Sequence, residues 1–256
     1  MTGALRLEVD IPRATLVIDR PDKRNAFDYD MWAALPALVA EVAADPDIRV
    51  LVVRGTDTFS AGADISEFTT RRRGGDAIRH YNEVVDAGIS AVAGLAVPTI
   101  AAITGYCLGG GCELALSCDL RLAADDARFG IPPARLGIVY GLASTKRLVD
   151  AVGAAWAKQI LYTGDHLDAA IALRIGLVNE VHPAGGLDER SLALTGRIAA
   201  RSGVTQRGAK TIIGRILRGQ HAADDDVTAI YDESYVSADY AEGVAAFLEK
   251  RAPDFP

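Results

Sequence analysis

Thr99–Glu113 reads T-I-A-A-I-T-G-Y-C-L-G-G-G-C-E, and the fold and the chemistry of this chain turn on it. The apolar run Ile100 to Ile103 has the pattern of a buried strand. It stops at Gly105, three glycines follow at Gly109, Gly110 and Gly111, and Cys112-Glu113-Leu114-Ala115-Leu116 opens a helical pattern. Glycine permits close approach of other backbone, and no side chain screens its amide. A helix N-terminus adds free N–H groups and partial positive charge. Such a turn can hold an oxyanion, and it sets a carboxylate, Glu113, a few residues away. The combination points to chemistry on a carbonyl whose oxygen becomes negative.

A second strand-to-turn junction supplies a possible partner. Ile48–Arg54, I-R-V-L-V-V-R, has the pattern of a buried strand and runs into Phe59-Ser60-Ala61-Gly62-Ala63-Asp64-Ile65. Two small-residue turns from different strands can aim two backbone N–H groups at one oxygen.

Working outward, residues 5–9 and 14–18 alternate about Pro12-Arg13 and read as a hairpin. Asp28 is placed to cap a helix to about Ala44 that carries Met31, Leu35, Leu38, Val39 and Val42 on one face. A helix is predicted over 76–92, a strand over 99–104, a glycine-rich helix over 110–116 and a strand over 118–123. Strand and helix alternate, which predicts parallel strands joined by right-handed crossovers. From Ala143 onward helices dominate, with one short strand at Leu177–Val181. Past residue 185 the reading is all helical, with apolar spacing at Ile212, Ile213, Ile216 and Leu217. Asp224-Asp225-Asp226 reads as a solvated helix start.

Composition narrows the function classes. The chain has 256 residues, half of them hydrophobic, and a formal net charge of −7. That length suits one large domain, or a domain with an appended helical piece. Scattered Lys and Arg under a negative balance speak against nucleic-acid binding. No apolar run reaches membrane-span length, and the N-terminus lacks a basic start before an apolar stretch, so the reading is a protein of the cytoplasm with no membrane partner. Cys107, Cys112 and Cys118 lie in apolar surroundings without a C-x-x-C pair and read as reduced core thiols; no metal site is expected. The glycines do not match G-x-G-x-x-G, no G-K-[ST] occurs, and Ser60 is not in a G-x-S-x-G elbow.

F-S-A-G-A-D-I-S-E (Phe59–Glu67) and I-T-G-Y-C-L-G-G-G-C-E-L-A (Ile103–Ala115) resemble the crotonase superfamily of enoyl-CoA hydratases and isomerases. Three further segments agree: I-D-R-P-D-K-R-N-A-F (Ile18–Phe27), C-D-L-R-L-A-A-D-D-A-R-F-G (Cys118–Gly130) and A-F-L-E-K-R-A-P-D-F (Ala246–Phe255). The resemblance implies an α/β fold, a spiral of strand–helix turns over 1–185 that holds an acyl-CoA site, then a helical trimerisation region over 186–256. It implies a homotrimer or a dimer of trimers, with a CoA thioester as substrate and no cofactor.

By the same resemblance the thioester oxygen lies between the amides of Ala63 and Gly110, and Glu113 is the first catalytic glutamate. Contacts to CoA and substrate fall to Lys23, Arg24, Ala26, Ala61, Asp64 and Ile65, with Phe247 and Lys250 in the tail. The family's second catalytic glutamate is replaced by Pro133, which cannot transfer a proton. Hydratase-type chemistry is the reading the family favours. Tyr140 stands where hydratases usually carry Pro and resembles the family's methylmalonyl-CoA decarboxylases, although Ala63-Asp64 replaces the His-Asp of those enzymes. Decarboxylation of a malonyl-type acyl-CoA, with Tyr140 catalytic, and non-catalytic binding of an acyl-CoA are the alternatives. Arg71-Arg72-Arg73, after the first oxyanion turn, could assist in holding the CoA phosphates but is read in preference as a solvated basic run, and His80, His166, His182 and His221 read as surface or packing residues.

Overall fold

The computed structural model describes residues 3–255. The strands are β1 Leu5–Asp10, β2 Arg13–Ile18, β3 Val50–Gly55, β4 Thr99–Ile103, β5 Tyr106–Leu108, β6 Leu120–Ala124, β7 Arg128–Gly130, β8 Leu167–Asp168 and β9 Glu180–His182. The helices are α1 Tyr29–Ala44, α2 Phe68–Arg71, α3 Gly75–Gly94, α4 Gly110–Ser117, α5 Leu142–Thr163, α6 Ala169–Arg174, α7 Leu187–Ala199, α8 Gly203–Leu217, α9 Asp225–Val236 and α10 Ala238–Glu249.

Two sheets form. The larger has the order β1-β2-β3-β4-β6-β9, and the smaller β5-β7-β8. The β1–β2 hairpin is antiparallel, and from β2 to β9 every pairing in the large sheet is parallel. Successive turns of the chain feed one strand to each sheet: β4 then β5, β6 then β7. Ser60 pairs with Cys107, so the turn after β3 extends the small sheet in the same rhythm.

The parallel strands are apolar on both faces because both are covered. Leu51 and Val53 point into a core shared with α1 and α3, including Trp32, Leu35 and Ile89. Val50 and Val52 point to the other face, where Leu187, Leu194 and Ile198 of α7 cover them together with Ile100 and Leu122. A one-residue slip in β3 would exchange these sets.

Asp28 caps α1 by accepting from the Met31 amide at 2.9 Å, a contact worth about 1 kcal/mol. The helix continues through Pro36. Pro36 has no N–H to give the Trp32 carbonyl, and α3 packs there so closely that a Cβ on Gly88 would lie 2.9 Å from that oxygen. This junction fixes Trp32, which is fully buried. Asp224 caps α9 by accepting from the Val227 amide, as the acidic run predicts for a helix start.

The sequence reading missed the small sheet. Its strands are two or three residues long and bounded by glycines or turns, too short for alternation to show. The last strand of the large sheet also starts later than predicted. Leu177 and Val178 are buried, but both give their amides to the Ala172 carbonyl at the end of α6, and pairing begins only when the Asn179 amide reaches Arg121. The three cysteines are free and buried. No helix of the described residues is long and apolar enough to cross a membrane.

Candidate active site

The turn after β3 is stitched to its neighbours by backbone. Ser60 donates to the Tyr106 carbonyl at 2.7 Å and accepts from Leu108 at 3.0 Å, while Phe27 donates to Gly62 and Asp64 donates to Phe27, each at 2.7 Å. Gly62 has φ 100°, and a Cβ there would sit 2.7 Å from the Leu108 carbonyl oxygen. Only glycine meets both conditions without strain. The two glycine-bearing turns therefore touch backbone to backbone, and a Cβ placed on Gly110 would lie 3.6 Å from the Ala63 nitrogen.

Gly110 is the first residue of α4, where an amide has no acceptor inside the helix. Neither the Ala63 nor the Gly110 amide donates to another backbone carbonyl of the described residues. Both residues line one cavity of about 580 Å³. Glu113 lies in the first turn of the same helix, its own amide bonded to the Gly109 carbonyl at 3.0 Å, and it lines that cavity too. Trp32 and Pro133 complete the inner wall, and Ile65, Phe68, Ile78, Val85 and Val139 make most of the remainder apolar.

Burial raises the Glu113 carboxyl above its ordinary value; the Ser144 and Tyr140 hydroxyls pull it back, the Asp86 charge pushes it up, and Arg147 lowers it. Tyr140 is held well above its ordinary value, first by burial and then by the negative charge of Glu113, so it stays neutral and able to donate. Its hydroxyl also lies 3.4 Å from the Gly109 carbonyl oxygen. The arrangement is a carboxylate of raised proton affinity beside two free amides in a mostly apolar chamber. It suits acid–base work next to a carbonyl that takes up negative charge.

Of the residues singled out by sequence, Ala61, Ala63, Ile65, Gly110, Glu113, Pro133 and Tyr140 meet at this cavity. Lys23, Arg24 and Ala26 do not line it. Their loop is joined to it by backbone, since Ala61 donates to the Arg24 carbonyl at 2.9 Å. Arg24 is exposed and its guanidinium lies over the Tyr106 ring, whereas Ala26 is buried. The Asp64 carboxylate points away from the cavity. It receives Ser66 and pairs with Arg20 at 2.9 Å, and these contacts, Ser66 foremost, hold it below its ordinary range. Phe247 and Lys250 belong to the end of α10, where Phe247 lines a separate shallow groove with Tyr240, Leu248 and Phe255.

Three residues at the site escaped the sequence reading, and a fourth, Arg72, was read in preference as solvated. Asn82 and Asp86 line the cavity from α3, one helical turn apart, a spacing visible in sequence but not distinct from a solvated face. Ser144 is buried beside Glu113. Arg72 also lines the cavity. Within the basic run, Arg71 is exposed with its guanidinium over Tyr29, whereas Arg72 is packed against both Phe68 and Tyr81, so the run is not uniformly solvated. Among the described residues no group of three or more His, Cys, Asp or Glu is disposed to hold a metal ion.

Comparison with known proteins agrees with this geometry. Residues 14–256 match the family described as enoyl-CoA hydratase/isomerase. The chain is 36% identical over 255 residues to the crotonyl-CoA hydratase of Syntrophomonas wolfei, covering 97% of this chain and 96% of that protein. It is 33% identical over 251 residues to the short-chain-enoyl-CoA hydratase of Clostridium acetobutylicum, covering 96% and 94%. Among solved structures, an enoyl-CoA hydratase/isomerase family protein from Hyphomonas neptunium superposes with a TM-score of 0.97 at 38% identity, over 100% of this chain and 98% of that one.

Proposed function

The chain belongs to the enoyl-CoA hydratase/isomerase family, and from that premise we propose that it adds water to the double bond of an enoyl-CoA, with Glu113 as its acid–base residue and the Ala63 and Gly110 amides as its oxyanion hole. The observation that carries this reading is the meeting of two uncommitted backbone amides and one burial-perturbed carboxylate in a single apolar cavity.

The steps balance with one carboxylate. Glu113 takes a proton from water as its oxygen bonds to the β-carbon. The π electrons move to the thioester oxygen, where the Ala63 and Gly110 amides stabilise the enolate; one such donor is worth about 3 kcal/mol. The enolate then collapses and the α-carbon takes the proton back from Glu113. The Tyr140 and Ser144 hydroxyls favour the charged form of the Glu113 carboxylate. Pro133 occupies the wall where the family resemblance puts a second glutamate, and it offers no proton. The chemistry calls for no cofactor beyond the CoA thioester itself.

Pro133 and the neutral, half-buried Tyr140 favour one second reading, decarboxylation of a malonyl-type acyl-CoA, which needs the oxyanion hole and a proton donor but no second carboxylate. A mass-spectrometric screen against crotonyl-CoA, a β,γ-enoyl-CoA, malonyl-CoA and methylmalonyl-CoA decides between them. Gain of water on crotonyl-CoA supports the hydratase. Loss of CO₂ without hydration replaces it with the decarboxylase, and binding without conversion leaves an acyl-CoA binder.

The division into a core over 1–185 and an oligomerising helical region over 186–256 is part of the same proposal, as is a homotrimer or a dimer of trimers. The apolar side chains left in solvent by α9 and α10 support it: Val236 is 85% exposed, Phe247 83% and Leu248 74%. Light scattering that returns an active monomer at assay concentration would refute it.

A further inference from the structure

Arg72 follows α2 at the wall of the acyl cavity. Its guanidinium carbon lies 3.9 Å from the centre of the Phe68 ring and 4.2 Å from that of Tyr81. The two rings stand edge to face, 77° apart with centroids 6.1 Å apart, so the cation sits in the corner they form, and the N–H groups on its open side are left to recognise a partner. No carboxylate of the described residues forms an ion pair with it, and its Nε is buried without an acceptor. The contrast with other arginines is direct: Arg20 pairs with Asp64, Arg190 with Glu180 and Arg251 with Glu242. The Tyr81 hydroxyl is its polar neighbour, but it supplies no anion, because burial pushes that hydroxyl up to about 12. Glu113 is near enough for its field to act on Arg72, yet the two form no salt bridge.

Arg72 and Glu113 line the same cavity, which fixes the end of a substrate that Arg72 meets. Glu113 is one helical turn from the Gly110 amide, hence beside the reacting carbonyl. The CoA phosphates are removed from that carbonyl by the whole pantetheine arm. A ligand anion that reaches Arg72 is therefore carried on the acyl group, past the apolar stretch made by Phe68, Ile78 and Val85.

We propose that Arg72 is a specificity-determining residue that receives a carboxylate at the far end of the acyl group, so that the preferred substrates are CoA monothioesters of unsaturated dicarboxylic acids. This rests on the acyl-CoA reading of the cavity. The carboxylate remains on the substrate throughout, so Arg72 binds ground state and transition state alike and acts through KM more than kcat.

The test compares crotonyl-CoA with glutaconyl-CoA, which is crotonyl-CoA bearing a carboxylate on its terminal methyl group. The wild-type enzyme should favour glutaconyl-CoA in kcat/KM. In Arg72→Gln the ratio of the two values should fall about 10- to 100-fold, as expected for a lost charge-assisted contact, with most of the change in KM; Arg72→Lys should keep part of the preference. A ratio unchanged in Arg72→Gln, or a wild-type preference for crotonyl-CoA, overturns the proposal. Calorimetry with the saturated pair, glutaryl-CoA against butyryl-CoA, reads the same preference without turnover. A preference for glutaryl-CoA that Arg72→Gln abolishes upholds Arg72 as the carboxylate receptor even where neither enoyl-CoA is hydrated, a result that would remove only the hydratase reading. Equal weakening of glutaryl-CoA, butyryl-CoA and free CoA would assign Arg72 to the CoA phosphates and refute it.

Discussion

Tyr140 and Glu113 line the same cavity, and each moves the other's proton affinity: the Tyr140 hydroxyl lowers Glu113, while the Glu113 charge raises Tyr140. Removing the hydroxyl in Tyr140→Phe takes away a contact made to the charged carboxylate, so Glu113 should rise further. The acid limb of the pH profile of kcat/KM should then shift to higher pH. Asp86→Asn should do the reverse, because the Asp86 charge pushes Glu113 up. Profiles of the two variants that move in the same direction would contradict this account of the site.

Glu113→Gln should lower hydration about 10²- to 10⁴-fold, the usual worth of a positioned acid–base group. It should also change stability with a definite sign. Burial holds the Glu113 carboxyl above its ordinary value in the folded chain, so its contribution is fully present below the unfolded value and is lost as pH rises through the folded one. Relative to wild type, the Gln variant should be the more stable at pH 7 and should lose that advantage on acidification through the carboxylate range. Urea denaturation at several pH values checks both halves.

The proposed oxyanion hole can be separated from packing at one residue. Gly110→Pro deletes the amide proton at a helix position that otherwise tolerates proline, and it should cost about 10²- to 10³-fold in kcat. Any side chain here also presses on Trp32, since a Cβ would lie 3.0 Å from its ring. Gly110→Ala carries the same Cβ and keeps the N–H, so it should lose far less. Equal losses in the two variants would assign the effect to Trp32 and not to the amide.

How much of this was legible in the sequence depends on the length scale of each signal. Strand β3 and helix α1 were readable because several consecutive residues repeat one pattern, and Asp28 marks its helix start by its own chemistry. The turns holding Ala63 and Gly110 were readable as glycine-bearing strand ends, and their order along the chain carried the family resemblance. β5, β7 and β8 were not readable, being too short to show a period. Arg72 was hidden for a different reason. Three adjacent arginines look alike in sequence, and only the packing of Phe68 and Tyr81 about the middle one sets it apart. Asp86 and Ser144 reach Glu113 from α3 and α5, a convergence of distant segments that no local pattern encodes.

The edge of the large sheet offers a stability test away from the cavity. Arg190 of α7 grips both oxygens of Glu180 in β9, at 2.6 and 2.7 Å. That pairing, with His182 at 2.7 Å, holds the Glu180 carboxyl down to about 2, Arg190 being the larger influence. A depressed carboxyl stabilises the fold above its unfolded value and ceases to do so as pH falls through the folded one. Glu180→Gln should therefore cost about 1 kcal/mol at pH 7, discounted for partial exposure. The difference from wild type should shrink as pH falls from the ordinary Glu value of 4.5 toward 2, and high salt at neutral pH should also reduce it.

Pro133→Glu tests whether the missing second carboxylate limits the reaction. Pro133 opens a short 3₁₀ turn over Pro133–Arg135 and is buried at the cavity wall. As the first residue of that turn it gives up no turn hydrogen bond when replaced, while its carbonyl continues to accept from Leu136 and Ile138. A glutamate here enters the same apolar chamber as Glu113, and two carboxylates in one chamber do not ionise independently. One keeps its proton while the other is charged, the division of labour that a two-carboxylate hydration uses. Hydration of crotonyl-CoA by Pro133→Glu should then exceed wild type by about 10²-fold or more, and its pH profile should become bell-shaped. If wild type already turns over crotonyl-CoA at about 10 s⁻¹ or faster and Pro133→Glu brings no gain, Glu113 with its Tyr140 and Ser144 contacts is sufficient by itself, and Pro133 is no defect.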